Sequence, residues 1–411
     1  MGENTVNKDF YSKLSIDNPI NRQIDNIQNK ITYHEELTTQ TRMTDTSLFK
    51  DLSPLEYLNT TSHNIPDNII SSENLSQIRK LAGLFSKGTT SFFGFETRLG
   101  STDASSDYLF AVSSKNMERD ALMRFLKYEI PDDLKNKSEW RNLFNFTMKW
   151  SDSESDIYKN VLGLWLEFDT AKLSENYEIP NVFLQIRKTR IDNYEDEQKF
   201  KWVILQALPL LTGESLPKKI EENLINALKK LPKETSLIHV GTMLSRKAYG
   251  VRIVINRIKP EQIIPYLKSI GYNSETSELN QTINEISKYS SRLILHINIG
   301  EKIDSKVGIE CSFAEDKYHL QNEWKNLFDY LEKKGLCIRE KREALLDFPG
   351  VAKENDDEFN LETYMVAPKI DHNKYSSALV RYLSHIKIVY KPNEGFEAKA
   401  YPGVRLFGKP F

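Results

Sequence analysis

The chain has 411 residues, of which 39% are hydrophobic and 28% charged, with 56 Lys and Arg against 58 Asp and Glu. That composition can bury a large core. Its formal net charge of -2 excludes binding driven by global charge, so neither nucleic acid nor a membrane surface is an expected partner. Cys311 and Cys337 are too few for a disulfide framework, and no apolar run approaches a membrane span or a secretory leader, so a cytoplasmic protein is expected.

Residues 1–74 are rich in Asn, Thr, Asp and Ser and show no clear period, which predicts an irregular or partly helical N-terminal extension. From residue 75 a unit recurs. Residues 91–100 and 107–114 form the first pair of short runs rich in β-branched and aromatic residues. The pairs 161–170 with 181–188, 237–245 with 250–258, 292–300 with 306–313, and 383–391 with 396–404 follow. Each pair is joined by a polar or Gly/Pro-containing segment, the signature of a hairpin.

Between the pairs the period becomes helical, over 119–130, 139–150, 199–211, 218–231, 260–272, 278–289 and 322–336. Ile220, Leu224, Ala227, Leu228 and Leu231 show the three-and-four spacing of an amphipathic helix. No low-complexity linker divides residues 75–411, which read as a single domain of five ββα-type repeats.

Alternation along the runs assigns faces. His385, Lys387 and Val389 share one side against Ile386, Ile388 and Tyr390; Glu397, Lys399 and Tyr401 oppose Phe396, Ala398 and Ala400. Trp165, Glu167 and Asp169 oppose Leu164, Leu166 and Phe168, and Arg252, His296, Asn298 and Glu310 likewise stand opposite apolar neighbours. One face suits packing under helices and the other carries polar, charged and aromatic groups. The fold class expected is α+β: a closed antiparallel β-barrel of about ten strands with helices outside and the polar faces lining a lumen. An open sheet with one wet face gives the same alternation.

This pattern resembles the αββα barrel (PT barrel) of aromatic prenyltransferases of the dimethylallyltryptophan synthase type. FFGFETR is similar to an early strand of that family in which a Glu lies near a strand Arg, here Glu96 and Arg98, and the K-x-Y of its late strands is matched by Lys399 and Tyr401. The resemblance implies prenyl transfer from an isoprenoid diphosphate to an aromatic acceptor, small molecule or peptide, with no cofactor required and magnesium optional. Holding a diphosphate needs lumenal cations, for which Arg98, Arg187, Arg252, Lys387 and Lys399 are the candidates, with Tyr401 as a phosphate donor and shield. Trp165 and Phe183 would face the allylic cation. Glu96, then Glu167, would take the acceptor's proton.

Each signal has a plainer reading. Glu96 and Arg98 form a same-face ion pair on one strand, Lys387 and Lys399 protect an edge hairpin, Arg187 opens a solvated basic run, and Trp165 is core. His239, His296 and His385 are separate structural histidines, and the glycines at 83 and 88 lack the lysine of a phosphate loop. Two rival functions stay open: a silent barrel that binds a peptide or small ligand, and a pentein-type guanidine-modifying propeller with a nucleophilic Cys, for which His34-Glu35-Glu36 is the only matching triplet.

Overall fold

Each alternating run becomes a strand because its apolar side chains leave water on one face only. The chain's structure is a computed structural model that describes residues 52–115, 117–171, 178–246, 250–313, 321–353, 359–360 and 377–408. The strands are β1 Phe92–Arg98, β2 Ser106–Ser113, β3 Val161–Phe168, β4 Asn181–Thr189, β5 Ser236–Thr242, β6 Val251–Asn256, β7 Arg292–Ile299, β8 Ile303–Ser312, β9 Gly350–Lys353, β10 Phe359–Asn360, β11 Ser377–Lys391 and β12 Gly395–Gly408. Strands β1 to β8 run antiparallel in chain order, β12 pairs with β1, and β11 pairs with both β12 and β8. Ten strands therefore close into a barrel, as expected, and the open-sheet alternative is excluded.

The closing strand does two jobs. Its C-terminal part, Ile386–Tyr390, pairs with Val307–Cys311 of β8, while Ala378–Arg381 pairs with Gly350–Lys353 of β9. An irregularity in register between Leu383 and His385 separates the two stretches.

The outward faces of the strands and the inward stripes of the helices form one continuous core. Phe93, Phe95, Tyr108, Phe110, Leu166 and Phe168 from the barrel meet Trp140, Phe146 and Trp150 from the helix Ser138–Trp150. The seven predicted helical stretches all contain helix, and two of them, at Phe125–Glu129 and Val203–Ala207, include a π-turn. Segment 52–74 also folds onto the barrel. The helix Pro54–Thr61 starts with a capping box between Ser53 and Glu56, and its Tyr57 and Leu58 are buried in the same core. The residues before 52, with His34-Glu35-Glu36, lie outside the described residues. Helix Arg339–Asp347 buries Lys341 completely, and its Nζ donates to the carbonyl oxygens of Arg98 (2.6 Å) and Asp103 at the β1–β2 hairpin.

Among the described residues no helix is long and apolar enough to cross a membrane. The propeller reading fails on topology, because the strands form one continuous barrel rather than separate blades. It also fails on its nucleophile: Cys311 is buried in the outer core and Cys337 in the same cluster, and burial pushes both thiols up, Cys337 to about 12.

Candidate active site in the barrel lumen

Period-two alternation carries one polar set from every strand into the lumen, where it lines two recesses. The first is basic. It is lined by Arg246, Arg252, Lys306, Lys387 and Lys399, with Glu96 and Glu167 among them, and is narrow, about 30 Å³. The second is a cavity of about 420 Å³ lined by Leu109, Trp165, Phe183, Tyr401 and other apolar groups, with His296, Glu310 and His385 in its wall. Glu167, His296 and Lys387 border both, so they mark the junction.

The basic recess is built from pairings that orient its cations. Glu96 on β1 receives Lys399 Nζ at 2.6 Å on one carboxylate oxygen and the Tyr401 hydroxyl on the other. Burial acts to raise the Glu96 carboxyl, but Lys399 and Lys387 outweigh it and hold it well below the usual carboxylate range. Arg252 Nε donates to Asn298 Oδ1 at 2.8 Å, and Asn298 in turn donates to Asp304 at 2.8 Å. Arg246 grips Asp169 through two nitrogens, one at 2.9 Å. Burial and the neighbouring cations Lys399, Arg252 and Arg246 push Lys306 down to about 8.

Lys387 and Lys399 are 9% and 8% exposed. Burial, then Arg252, pulls the Lys387 ammonium down from its ordinary value. A Cβ at Gly308 would stand 3.0 Å from Lys387 Cε, so the glycine leaves the lysine its path across β8. Gly241 does the same for Phe183, whose ring occupies the space where a Cβ would lie.

The cavity wall is aromatic on one side. Phe92, Leu109, Val380, Tyr382 and Tyr401 form a cluster inside the barrel, with Trp165 packed edge-on to Phe92 at 5.1 Å between ring centroids. On the other side His385 stacks on Tyr401 at 4.1 Å, and the Lys387 ammonium lies 5.8 Å from the Tyr401 ring centroid. Glu310 Oε1 stands 2.6 Å from His296 Nε2 and 3.4 Å from His385 Nε2. At the junction, burial pushes the Glu167 carboxyl up to about 7, with Lys387 opposing in part.

The structure thus brings together Glu96, Glu167, Arg252, Lys387, Lys399, Tyr401, Trp165 and Phe183. Arg98 stands apart. It pairs with Asp107 at 3.2 Å and with Glu397 at 3.7 Å, not with Glu96, so the expected pair within one strand is corrected. Asp107 is pushed up to about 6, by burial first. Arg187 lines the larger cavity but not the basic recess; it is exposed, with its Nε on the Lys159 carbonyl at 3.0 Å. Lys387 and Lys399 protect no edge, because β11 and β12 are paired on both sides. Trp165 faces the lumen rather than the outer core.

Sequence reasoning passed over Arg246, Lys306, His296, Glu310 and His385 as site residues. Lys306 was readable, since it shares the face of Gly308 and Glu310 two and four residues on. Arg246 lies in a turn, Leu244–Arg246, where no alternation assigns a side. The clustering of the two histidines on Glu310 depends on β11 closing against β8 and leaves no local trace. Among the described residues no group of His, Cys, Asp and Glu is arranged to hold a metal ion.

An αββα barrel with a charged and aromatic lumen is the PT-barrel fold, and comparison with solved structures agrees. AnaPT from Neosartorya fischeri superposes with a TM-score of 0.50 at 11% identity, covering 85% of this chain and 91% of AnaPT. The apo form of the prenyltransferase PriB (TM-score 0.48, 11% identity, covering 85% of this chain and 96% of PriB) is also similar. So is 6-dimethylallyltryptophan synthase from Micromonospora olivasterospora, solved with DMASPP and Trp (TM-score 0.48, 11% identity, 87% and 97% covered). The chain has the fold of aromatic prenyltransferases. No protein-family description matches its sequence. No curated protein matches it either.

Proposed function

We propose that the protein transfers a prenyl group from an isoprenoid diphosphate to an aromatic acceptor inside the lumen. The observation that carries this reading is the stacking of a cationic recess against an aromatic-walled cavity, with Lys387 at the junction. A prenyl diphosphate has the same two halves in the same order. Its diphosphate would lie among Arg246, Arg252, Lys306, Lys387 and Lys399, whose long flexible side chains close the recess and draw back around the anion.

When the allylic carbon–oxygen bond breaks, charge grows on the leaving diphosphate, where these cations stabilise it more than in the ground state. The allylic cation faces the rings of Tyr401, Trp165 and Phe183, which stabilise it and exclude water. The acceptor ring attacks the allylic carbon and then loses a proton. Both Glu96 oxygens are engaged by Lys399 and Tyr401, so Glu96 is assigned a positioning role rather than that of the base. Glu167, pushed up to about 7 at the junction, is partly protonated near neutral pH and in that form can donate to the departing diphosphate. Arg187, outside the basic recess, is assigned to the acceptor side; Arg98 supports the hairpin end of the lumen. The recess supplies the positive charge itself, with magnesium an optional companion of the diphosphate.

The test is incubation with dimethylallyl diphosphate and a panel of 2-naphthol, indole and L-tryptophan, with and without EDTA, read by mass spectrometry. At least one acceptor is expected to gain one dimethylallyl unit, and Lys399→Ala to lower the rate about a hundredfold or more. Failure of the wild type to bind any prenyl diphosphate would return the protein to the silent-barrel reading.

A further inference from the structure

Glu310, His296 and His385 come from three strands that meet only where the barrel closes. Glu310 lies on β8, His296 on its neighbour β7, and His385 on β11. The three side chains are 13%, 11% and 20% exposed, and all three line the 420 Å³ cavity. His296 also borders the basic recess, so the cluster reaches the point where an allylic carbon would meet its acceptor.

The cluster is unfinished as a purely structural network. His296 Nε2 meets Glu310 at 2.6 Å, but His296 Nδ1 and His385 Nε2 are buried without a hydrogen-bond partner, the latter 3.4 Å from the same Glu310 oxygen. Unmade hydrogen bonds at buried nitrogens are costly, which is unusual for histidines that only brace a fold. The terminal torsion of a histidine is soft, so a modest ring rotation can turn a nitrogen toward a bound molecule. The carboxylate is the group of the cluster whose charge its surroundings favour. Burial alone would raise Glu310, but His385, His296 and Lys387 hold its carboxyl well below the usual range. Burial, then the Lys387 ammonium, pushes His296 down to about 3, and burial also lowers His385.

The other lumenal carboxylates are less suited. Glu96 borders the basic recess and both its oxygens are taken by Lys399 and Tyr401. Glu167, pushed up to about 7, is only partly ionised near neutrality and lies at the junction with the basic recess.

We propose that Glu310, flanked by His296 and His385, is the proton-accepting subsite of the aromatic cavity, and that the acceptor presents to it a protic group on its ring system, a phenol O–H or a ring N–H. This rests on the reading of the cavity as an acceptor site. In the step it implies, the allylic carbon–oxygen bond of the diphosphate breaks and a bond from acceptor to allylic carbon forms. The acceptor's proton passes to the carboxylate–imidazole cluster, and the diphosphate leaves with the electron pair. The cluster later returns the proton to water, so no oxidant or further reactant is needed.

The experiment separates this inference from the transfer activity, because it reads binding alone. Calorimetric titrations of 2-naphthol and of 2-methoxynaphthalene, which has lost only the O–H proton, are compared on the wild type and on Glu310→Gln and His385→Asn. The wild type is expected to bind the naphthol at least tenfold more tightly than its methyl ether, and the two variants to lose most of that preference while still binding the ether. Equal binding of naphthol and ether by the wild type overturns the proposal without any variant having to fold. So does a preference that survives both substitutions, and so does the absence of binding by either aromatic. Failure of the prenyl-transfer reading would appear separately, as a wild type that discriminates between the two aromatics yet binds no prenyl diphosphate.

Discussion

Glu96 and Glu167 are two buried carboxyls a short distance apart in the lumen, and their neighbours drive them in opposite directions. Glu96 stays ionised because Lys399 and Lys387 outweigh its burial, whereas Glu167 is pushed up to about 7 because burial dominates. Glu96→Gln removes a negative charge from the basic recess while leaving an oxygen to receive one of its two donors. Calorimetry is expected to show diphosphate binding unchanged or tighter, with turnover lowered about tenfold or more. A tenfold weaker diphosphate affinity would contradict the positioning role.

The Glu167 shift has a consequence for stability. Its folded value lies above the unfolded one of 4.5, so its contribution is fully present below pH 4.5 and is lost as the pH rises to about 7. Relative to the wild type, Glu167→Gln should gain stability between pH 5 and pH 8, on the order of 3 kcal/mol at most. Thermal melts of both proteins at the two pH values measure it, and an unchanged difference would show that the carboxyl is not held protonated.

At the level of the element, strand alternation was legible wherever a run was regular. Lys387 and Lys399 on facing strands, paired in register, point into the lumen as their spacing indicated. What stayed hidden was set by neighbours distant in sequence. Helix Arg339–Asp347 is too charged to show a clear apolar stripe, and it is held in place by the buried Lys341. Helix Pro54–Thr61 carried a local signal, the Ser-x-x-Glu capping box from Ser53 to Glu56, inside a segment read only as irregular or partly helical. Glycine placement carries structural information too. Gly241 in β5 leaves room for the Phe183 ring of β4, so Gly241→Ala must displace that ring at a cost of about 1–3 kcal/mol. In a Phe183→Ala background the same substitution should cost much less. Urea unfolding of the four proteins in the cycle measures the coupling, and strictly additive costs would mean that the two residues do not meet.

For the whole molecule, five hairpins and their intervening helices were enough to predict a barrel, because every strand has one apolar face that only an outer helical layer can cover. Closure was expected, but the pairing that makes it was not legible. It depends on Ile386–Tyr390 of β11 meeting Val307–Cys311 of β8, a pairing across about eighty residues of chain, and that contact also assembles the cluster of Glu310 with the two histidines. The central claim is that this closed lumen seats a prenyl diphosphate with its anion on the basic recess and its hydrocarbon in the aromatic cavity. Calorimetric titration of the uncleavable analogue dimethylallyl S-thiolodiphosphate, at low and high salt, tests it most directly. The expected result is micromolar or tighter binding by the wild type that weakens as salt rises, with the Lys387→Ala, Lys399→Ala double variant weaker by about a hundredfold or more. No binding by the wild type, or binding that the double variant retains in full, would contradict it.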